Sequence, residues 1–159
     1  MATLPQLIEE DIERFDDALR ELLEKSDATT ALIIDKGGFL ITSQGDSRQF
    51  DTTTIAALAS GAFMANQTIA NLVHETGFNS VYQQGEKFSM FVISADENCL
   101  VVVIFKAQVS VGVVKYYAVP AVARVAEQMA RAQQREPGAG LDLSELNLAD
   151  TSGLFKRRS

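Results

Sequence analysis

The sequence is poor in the residues on which many enzyme and metal sites depend. It has one cysteine (Cys99), one histidine (His74) and no tryptophan. A single cysteine excludes an internal disulfide framework and favours a reducing compartment. One cysteine and one histidine cannot supply the usual ligand set of a zinc site. We therefore expect neither a metal nor a cofactor.

Nucleotide-binding and nucleophilic motifs are also missing. Gly37-Gly38 lacks the spacing of a dinucleotide fingerprint, and no GxxxxGK[ST] pattern occurs. A nucleophilic pair of Cys99 and His74 is conceivable. However, Cys99 begins an apolar strand, where a thiol usually behaves as a small hydrophobic side chain. The sequence therefore predicts a protein that is not an enzyme.

Long apolar runs and excess positive charge are absent too. The longest apolar run, residues 100–105, is far too short to cross a bilayer. The first ten residues carry acids early and lack the apolar stretch of a signal peptide. The net charge of -7 disfavours nucleic acid and anionic membranes, because both are bound through lysine and arginine. We expect a cytoplasmic protein that binds neither.

What the sequence does contain is an ordinary globular composition, 47% apolar and 22% charged. Hydrophobic periodicity predicts helix 7–25, strands 30–34 and 39–43, helix 51–74, strands 81–84, 88–94 and 99–105, and helix 111–134. Pro120 predicts a kink or a restart in the last helix. We expect one domain at 1–135, followed by a flexible C-terminal tail at 136–159.

Two strands decide the predicted architecture. Residues 31–34 and 99–105 are apolar on both sides of the pleat. A strand with one solvated face alternates apolar and polar residues, so continuous apolar character indicates that both faces are covered. We therefore predict an α+β fold in which helices sandwich the sheet and these two strands lie near its middle.

The central helix at 51–74 carries no lysine, arginine or glutamate. On a wheel of about 100° per residue, the predicted core face is Ile55, Leu58, Ala62, Ile69, Leu72 and Val73. The opposite face, with its flanks, holds the predicted partner-binding residues Ala57, Ser60, Gly61, Met64, Gln67, Thr68 and Asn71. Depletion of charge is typical of the middle of an interface. The alternative is a second buried face in a monomer.

The short polar strand at 81–84 is a candidate edge strand, open to pairing with a second copy. The residues predicted at this dimer contact are Asn79, Val81, Tyr82 and Gln83. In such a dimer the two central helices would lie side by side and form one platform.

Three short motifs, in this order along the chain, resemble the Roadblock/dynein light chain family. They are Ile33-Ile34-Asp35-Lys36-Gly37-Gly38 in the first hairpin, Asp51-Thr52-Thr53 at the start of the central helix, and Ser110-Val111-Gly112-Val113-Val114 at the start of the last helix. The resemblance covers roughly residues 10–135. It is strongest to bacterial members that regulate a Ras-like polarity GTPase, and the tail with Gly153-Leu154-Phe155 resembles that group as well.

The resemblance implies a five-stranded antiparallel sheet with one helix on one face and two on the other. It implies a homodimer with a continuous sheet through the third strands, whose paired central helices dock a Ras-like small GTPase. It further implies that the tail modulates nucleotide exchange. The tail residues predicted to contact the partner are Leu146, Leu148, Leu154 and Phe155.

The leading interpretation is a homodimeric activator of a Ras-like small GTPase, with an additional effect on exchange. No arginine lies on the central helix, so we expect activation to work by ordering the switch segments of the GTPase and not through an arginine finger. One alternative is a non-activating dimeric scaffold or motor adaptor. Another, from a different class, is a small-molecule sensor with a ligand between sheet and helix.

Overall fold

The computed structural model describes residues 4–46 and 48–135. In chain order the elements are α1 (Glu9–Ser26), β1 (Thr30–Asp35), β2 (Leu40–Gly45), α2 (Thr52–Leu72), β3 (Ser80–Gln83), β4 (Phe88–Ser94), β5 (Cys99–Lys106) and α3 (Val111–Gln134). The predicted order is confirmed, and each predicted end lies within two residues of the observed one. The tail predicted at 136–159 lies outside the described residues.

The five strands form one antiparallel sheet in the order β2-β1-β5-β4-β3. Strand β5 lies at the centre, where Val102 is flanked by Leu32 of β1 and Val92 of β4. Residues 99–105 of β5 are buried throughout, as their two-sided apolar character predicted. Strand β3 lies at one edge of the sheet, paired with β4.

Helices cover both faces of the sheet. On one face, α1 and α3 pack side chains such as Phe15 and Val125 against Phe91 of β4. On the other face, α2 packs against the sheet through Ala59 and Phe63. Burying a side chain the size of phenylalanine contributes roughly 1.5–3 kcal/mol, so these two layers hold the fold together. The arrangement of two helices on one face and one on the other is confirmed.

Helix α3 runs through Pro120 as one element. Proline cannot donate a hydrogen bond to the carbonyl one turn back, which belongs to Tyr116. Both Tyr116 and Pro120 are exposed, so water can solvate the freed carbonyl. The predicted restart is therefore wrong. The other expectation, a kink, is compatible with an unbroken helix.

A buried charged network joins the start of α1 to the end of α3. The carboxylate of Asp11 is fully buried and accepts hydrogen bonds from both terminal nitrogens of Arg135, each at 2.9 Å. It also accepts from Gln128 Nε2 at 2.6 Å and from the backbone N–H of Ile8 at 2.9 Å. Burial alone would raise the pKa of Asp11, but the hydrogen bonds from Arg135, Ile8 and Gln128 outweigh it and hold the pKa below its ordinary value.

Candidate functional site on helix α2

Helix α2 has well-defined ends. The Asp51 side chain caps its first turn, accepting from the Thr54 backbone N–H at 3.1 Å and from the Thr54 hydroxyl at 2.6 Å. These hydrogen bonds lower the pKa of Asp51. At the other end the helix finishes at Leu72, and His74 just beyond it takes a left-handed conformation with φ of 65°, which is typical of a helix end. The Asp51 cap confirms that the sequence places the start of this helix correctly.

The predicted core face of α2 is wrong. The residues of this helix that the structure buries are Ala56, Ala59, Ser60, Phe63 and Ala70. The residues of the predicted core face that are instead exposed are Leu58, Ala62, Ile69, Leu72 and Val73, with Leu72 75% exposed; Ile55 is half-buried. Apart from Phe63, the residues of α2 that lie against the sheet are small, so the helix approaches the sheet closely, while large side chains such as Leu58 and Leu72 face outward.

Five exposed apolar residues form a regular line along α2. The line consists of Leu58, Ala62, Ala65, Ile69 and Leu72, which we call the α2 ridge. Their spacing alternates between four and three residues, which is the spacing of the contact seam between two packed helices. The ridge places small side chains at its centre and larger ones at its ends.

Five of the seven predicted partner-binding residues form a second line beside the ridge. Ala57, Gly61, Met64, Thr68 and Asn71 each precede a ridge residue by one position, and all are exposed. We call this line the contact stripe. Together the ridge and the stripe give α2 a broad outer surface without a lysine, arginine or glutamate side chain.

Ser60 and Gln67 do not lie on the contact stripe. Ser60 is buried, and its hydroxyl donates to the backbone carbonyl of Lys36 in the β1–β2 turn at 2.5 Å. Gln67 is half-buried, donates to the carbonyl of Phe78 at 2.6 Å and accepts from its N–H at 3.3 Å. The prediction that Ser60 faces a partner is therefore wrong, because its hydroxyl anchors α2 to the turn beneath it.

Replacing Ser60 with alanine tests this assignment. We expect the free energy of unfolding to fall by about 1 kcal/mol, because the Lys36 carbonyl loses its donor. Urea denaturation measures the loss, with Thr68→Ala on the contact stripe as the control expected to change stability by less than about 0.5 kcal/mol. Unchanged stability of Ser60→Ala together with weakened partner binding would contradict the anchoring role.

Beside α2, part of the sheet remains uncovered. The helix lies over the β1–β2 side, so close that a Cβ on Gly38 would be 3.3 Å from the Cα of Ala57. Towards β3 and β4 lies an open groove of about 400 Å³, lined by the apolar side chains of Ile55, Phe88 and Met90 among others. The half-buried residues at this edge indicate a surface that a further layer would complete.

The four residues predicted at the dimer contact lie together at this edge. Val81, Tyr82 and Gln83 belong to β3, and Asn79 immediately precedes it. Val81 is half-buried on the α2 side, whereas Tyr82 stacks on Phe105 with ring centroids 6.2 Å apart. The predicted tail contacts, Leu146, Leu148, Leu154 and Phe155, lie outside the described residues.

The described residues give little support for chemistry at Cys99. Its thiol is buried, and this burial, reinforced by the nearby Asp96 carboxylate, raises its pKa. The nucleophilic thiolate is therefore disfavoured. Within 4–46 and 48–135, no three acidic, histidine or cysteine side chains gather as a metal site would require. Over the same residues no helix combines the length and apolar character needed to cross a membrane.

Comparison with known proteins places this geometry in a family. Residues 14–105 match the model of the Roadblock/LC7 domain. Among curated protein sequences none matches the chain.

Several solved MglB structures are similar over most of the chain. One, described as MglB with a tetrameric arrangement, is 27% identical with a TM-score of 0.77, covering 83% of this chain and 99% of its own. Myxococcus xanthus MglB is 26% identical with a TM-score of 0.75, covering 81% and 97%. The gliding protein MglB from Thermus thermophilus is 28% identical with a TM-score of 0.76, covering 82% and 99%.

The family match spans more than half of the sequence, and the sheet order and helix layers agree with the fold that the motifs implied. The domains of this family are regulatory or adaptor modules. The chain belongs to the Roadblock/LC7 family.

Proposed function

We propose that the protein is a homodimeric regulator of a Ras-like small GTPase, which docks on a platform formed by two α2 helices. The observation that carries this proposal is the outer surface of α2, which combines the apolar ridge with a stripe of mostly small, neutral residues. Interfaces are depleted in charge at their centre. The similarity to MglB structures supports the same class of function.

Three neighbouring features support self-association. The outer edge of β3 can pair with β3 of a second copy, the groove beside Phe88 would be covered, and the α2 ridges would face each other. In an antiparallel two-fold pair centred between Ala62 and Ala65, Leu58 lies opposite Ile69 of the partner subunit. The small central residues would permit close approach, and the larger ones would fill the ends.

The contact stripe then remains exposed on the dimer and is the proposed docking site. Gly61 supports this assignment. Glycine inside an exposed helix costs about 1 kcal/mol relative to alanine, yet no packing inside the chain requires it, since a Cβ there would meet nothing within 4 Å. Close approach of a partner's backbone over Gly61 explains why a side chain would be unfavourable there.

The proposed mechanism is activation by ordering of the partner. GTP hydrolysis depends on positioning the water and stabilising charge on the phosphates. The stripe offers no cation, so it acts by holding the switch segments of the GTPase in their productive arrangement. Arg48 precedes α2, and its guanidinium is engaged by Asp46, with Nε 3.1 Å from a carboxylate oxygen.

The test is single-turnover GTP hydrolysis by the Ras-like GTPase encoded nearest to this chain, with and without the protein. We expect at least a tenfold increase, below the roughly 10³–10⁵-fold effect of an arginine finger. Met64→Arg should abolish the increase, because it places a bulky charge in the middle of the stripe. Arg48→Ala should retain it.

Three outcomes separate the alternatives. Unchanged turnover on addition of the wild-type protein contradicts activation. Unchanged turnover with equal binding to the GDP and GTP states identifies a non-activating scaffold instead. Loss of activation in Arg48→Ala contradicts the mechanism without an arginine finger.

A further inference from the structure

A second apolar surface lies on the opposite side of the sheet from α2. It is a groove of about 670 Å³ between the second half of α1 and the first half of α3. Its walls include Tyr116, Val119 and Pro120, and the lysines Lys25 and Lys115 are also among its lining residues. Tyr116 is 73% exposed and Val119 57% exposed. Clustered exposed apolar side chains of this size indicate an interaction site.

We propose that residues 141–148 of this same chain, which lie outside the described residues, dock in this groove. The segment reads Leu-Asp-Leu-Ser-Glu-Leu-Asn-Leu, with four leucines in eight residues. It follows α3 after a short connection that contains Pro137 and two glycines, which suit a reversal of chain direction.

The end of α3 fixes where this segment starts. Arg135 is held by its paired hydrogen bonds to the buried Asp11, and its backbone is already extended, with φ of -75° and ψ of 137°. At a helical rise of about 1.5 Å per residue, Pro120 lies roughly 22 Å and Gly112 roughly 35 Å back along α3 from Arg135. The groove covers the part of α3 between these two residues.

The connection is long enough to cover that distance. An extended chain spans at most about 3.3–3.6 Å per residue, so residues 136–141 reach roughly 20 Å and residues 136–148 reach roughly 43 Å. Leu141 therefore stops just short of the level of Pro120, whereas Leu143 can pass it and Leu148 can pass that of Gly112. The segment would run antiparallel to α3 along the whole groove.

Charge favours this occupant as well. Lys115 makes no ion pair with another described residue, whereas Lys25 contacts Glu21 at 3.2 Å on the exposed surface. The segment brings two acids, Asp142 and Glu145, between its leucines. Because the segment is covalently attached by a short connection, its effective concentration at the groove is in the millimolar range. A free partner of equal affinity would have to exceed that concentration to compete.

Docking in the groove would have a regulatory consequence. Leu146 and Leu148 are also predicted to contact a GTPase, and they cannot occupy both surfaces at once. The groove would therefore hold the tail when no partner is bound. The inference itself depends only on the groove and the segment, so it is tested without a GTPase.

The experiment is amide hydrogen exchange by NMR on the full chain, labelled with nitrogen-15. We expect amides of 141–148 to exchange at least about tenfold more slowly than in a Tyr116→Glu variant, because docking removes them from solvent. Phe39→Glu is the matched control: Phe39 lies in the β1–β2 turn and is equally exposed, at 74%. It should leave the tail protected.

Two further variants keep the test decisive if Tyr116→Glu impairs folding. Leu146→Glu changes no residue of α1 or α3 and should also release the segment. Lys115→Glu should weaken the protection of the 141–148 amides. The double variant Lys115→Glu with Asp142→Lys should regain part of that protection. Unprotected tail amides in the wild-type protein, or equal release by Phe39→Glu, overturn the proposal. Protection that disappears on dilution also overturns it, because it identifies a second copy as the occupant.

Discussion

Replacing Ala65 with glutamate is expected to convert the proposed dimer to a monomer and to abolish GTPase binding. Ala65 lies at the centre of the α2 ridge and is exposed in the single chain, so the substitution should leave the folded monomer intact. In the dimer it would bury two unpaired carboxylates near the two-fold axis, which costs several kcal/mol. We expect the dissociation constant of the dimer to rise at least about 100-fold. Sedimentation velocity over a dilution series measures it.

The matched control is Asn71→Glu on the contact stripe. It introduces the same charge on the same helix, one line away from the ridge. We expect this variant to remain dimeric while losing affinity for the GTPase. If Ala65→Glu remains dimeric at the same concentrations at which the wild-type protein is dimeric, the ridge is not the dimer contact. If Asn71→Glu dissociates the dimer as well, the ridge and the stripe do not have separate roles.

Much of the fold was predictable because local patterns agreed with the tertiary structure. In α1, apolar residues recur at helical spacing, and Phe15 and Leu19 among them are fully buried. In β5, apolar residues on both sides of the pleat correctly placed the strand at the centre of the sheet. Turn residues such as Gly37 and Gly38 separated the strands within two residues of their observed ends.

The orientation of α2 was not predictable by the same rule. Hydrophobicity identifies a buried face when the other face is charged, and α2 has no charged face. The wheel assigned Leu58 and Leu72 to the core because they are large, whereas the sheet accommodates Ala56 and Ala59. The signal that the sequence did offer is the absence of lysine, arginine and glutamate from residues 51–74, which marks no face of the helix as solvated.

The network around Asp11 could not be predicted from sequence for a different reason. In the sequence, Asp11 is simply one of three acids, with Glu9 and Glu10, in the first turn of α1, where acids favour the helix dipole. Its main partner, Arg135, lies 124 residues away along the chain. Local sequence patterns do not indicate a contact between residues so far apart. They also do not distinguish the one buried carboxylate from the exposed acids beside it at the start of the helix.

Asp11→Asn is expected to lower the free energy of unfolding by about 3 kcal/mol at pH 7, because it leaves the Arg135 guanidinium without its counter-charge. Arg135 keeps some contact with water, its side chain being 19% exposed, which places the effect at the lower end of that for a buried pair. Glu10→Gln is the control: Glu10 pairs with Arg14 at 3.7 Å on the exposed surface, and its loss should cost less than about 0.5 kcal/mol.

The pH dependence gives an independent check of the same network. The pKa of folded Asp11 lies below its ordinary value of 3.8, so the unfolded chain takes up the proton first as the pH falls. The stabilisation is therefore complete well above pH 3.8 and is lost as the pH falls through the folded pKa. Urea denaturation from pH 7 to pH 3 should show the stability difference between wild type and Asp11→Asn shrinking at the acid end. A difference that stays constant across this range would show that packing around position 11, and not its charge, holds α1 to α3.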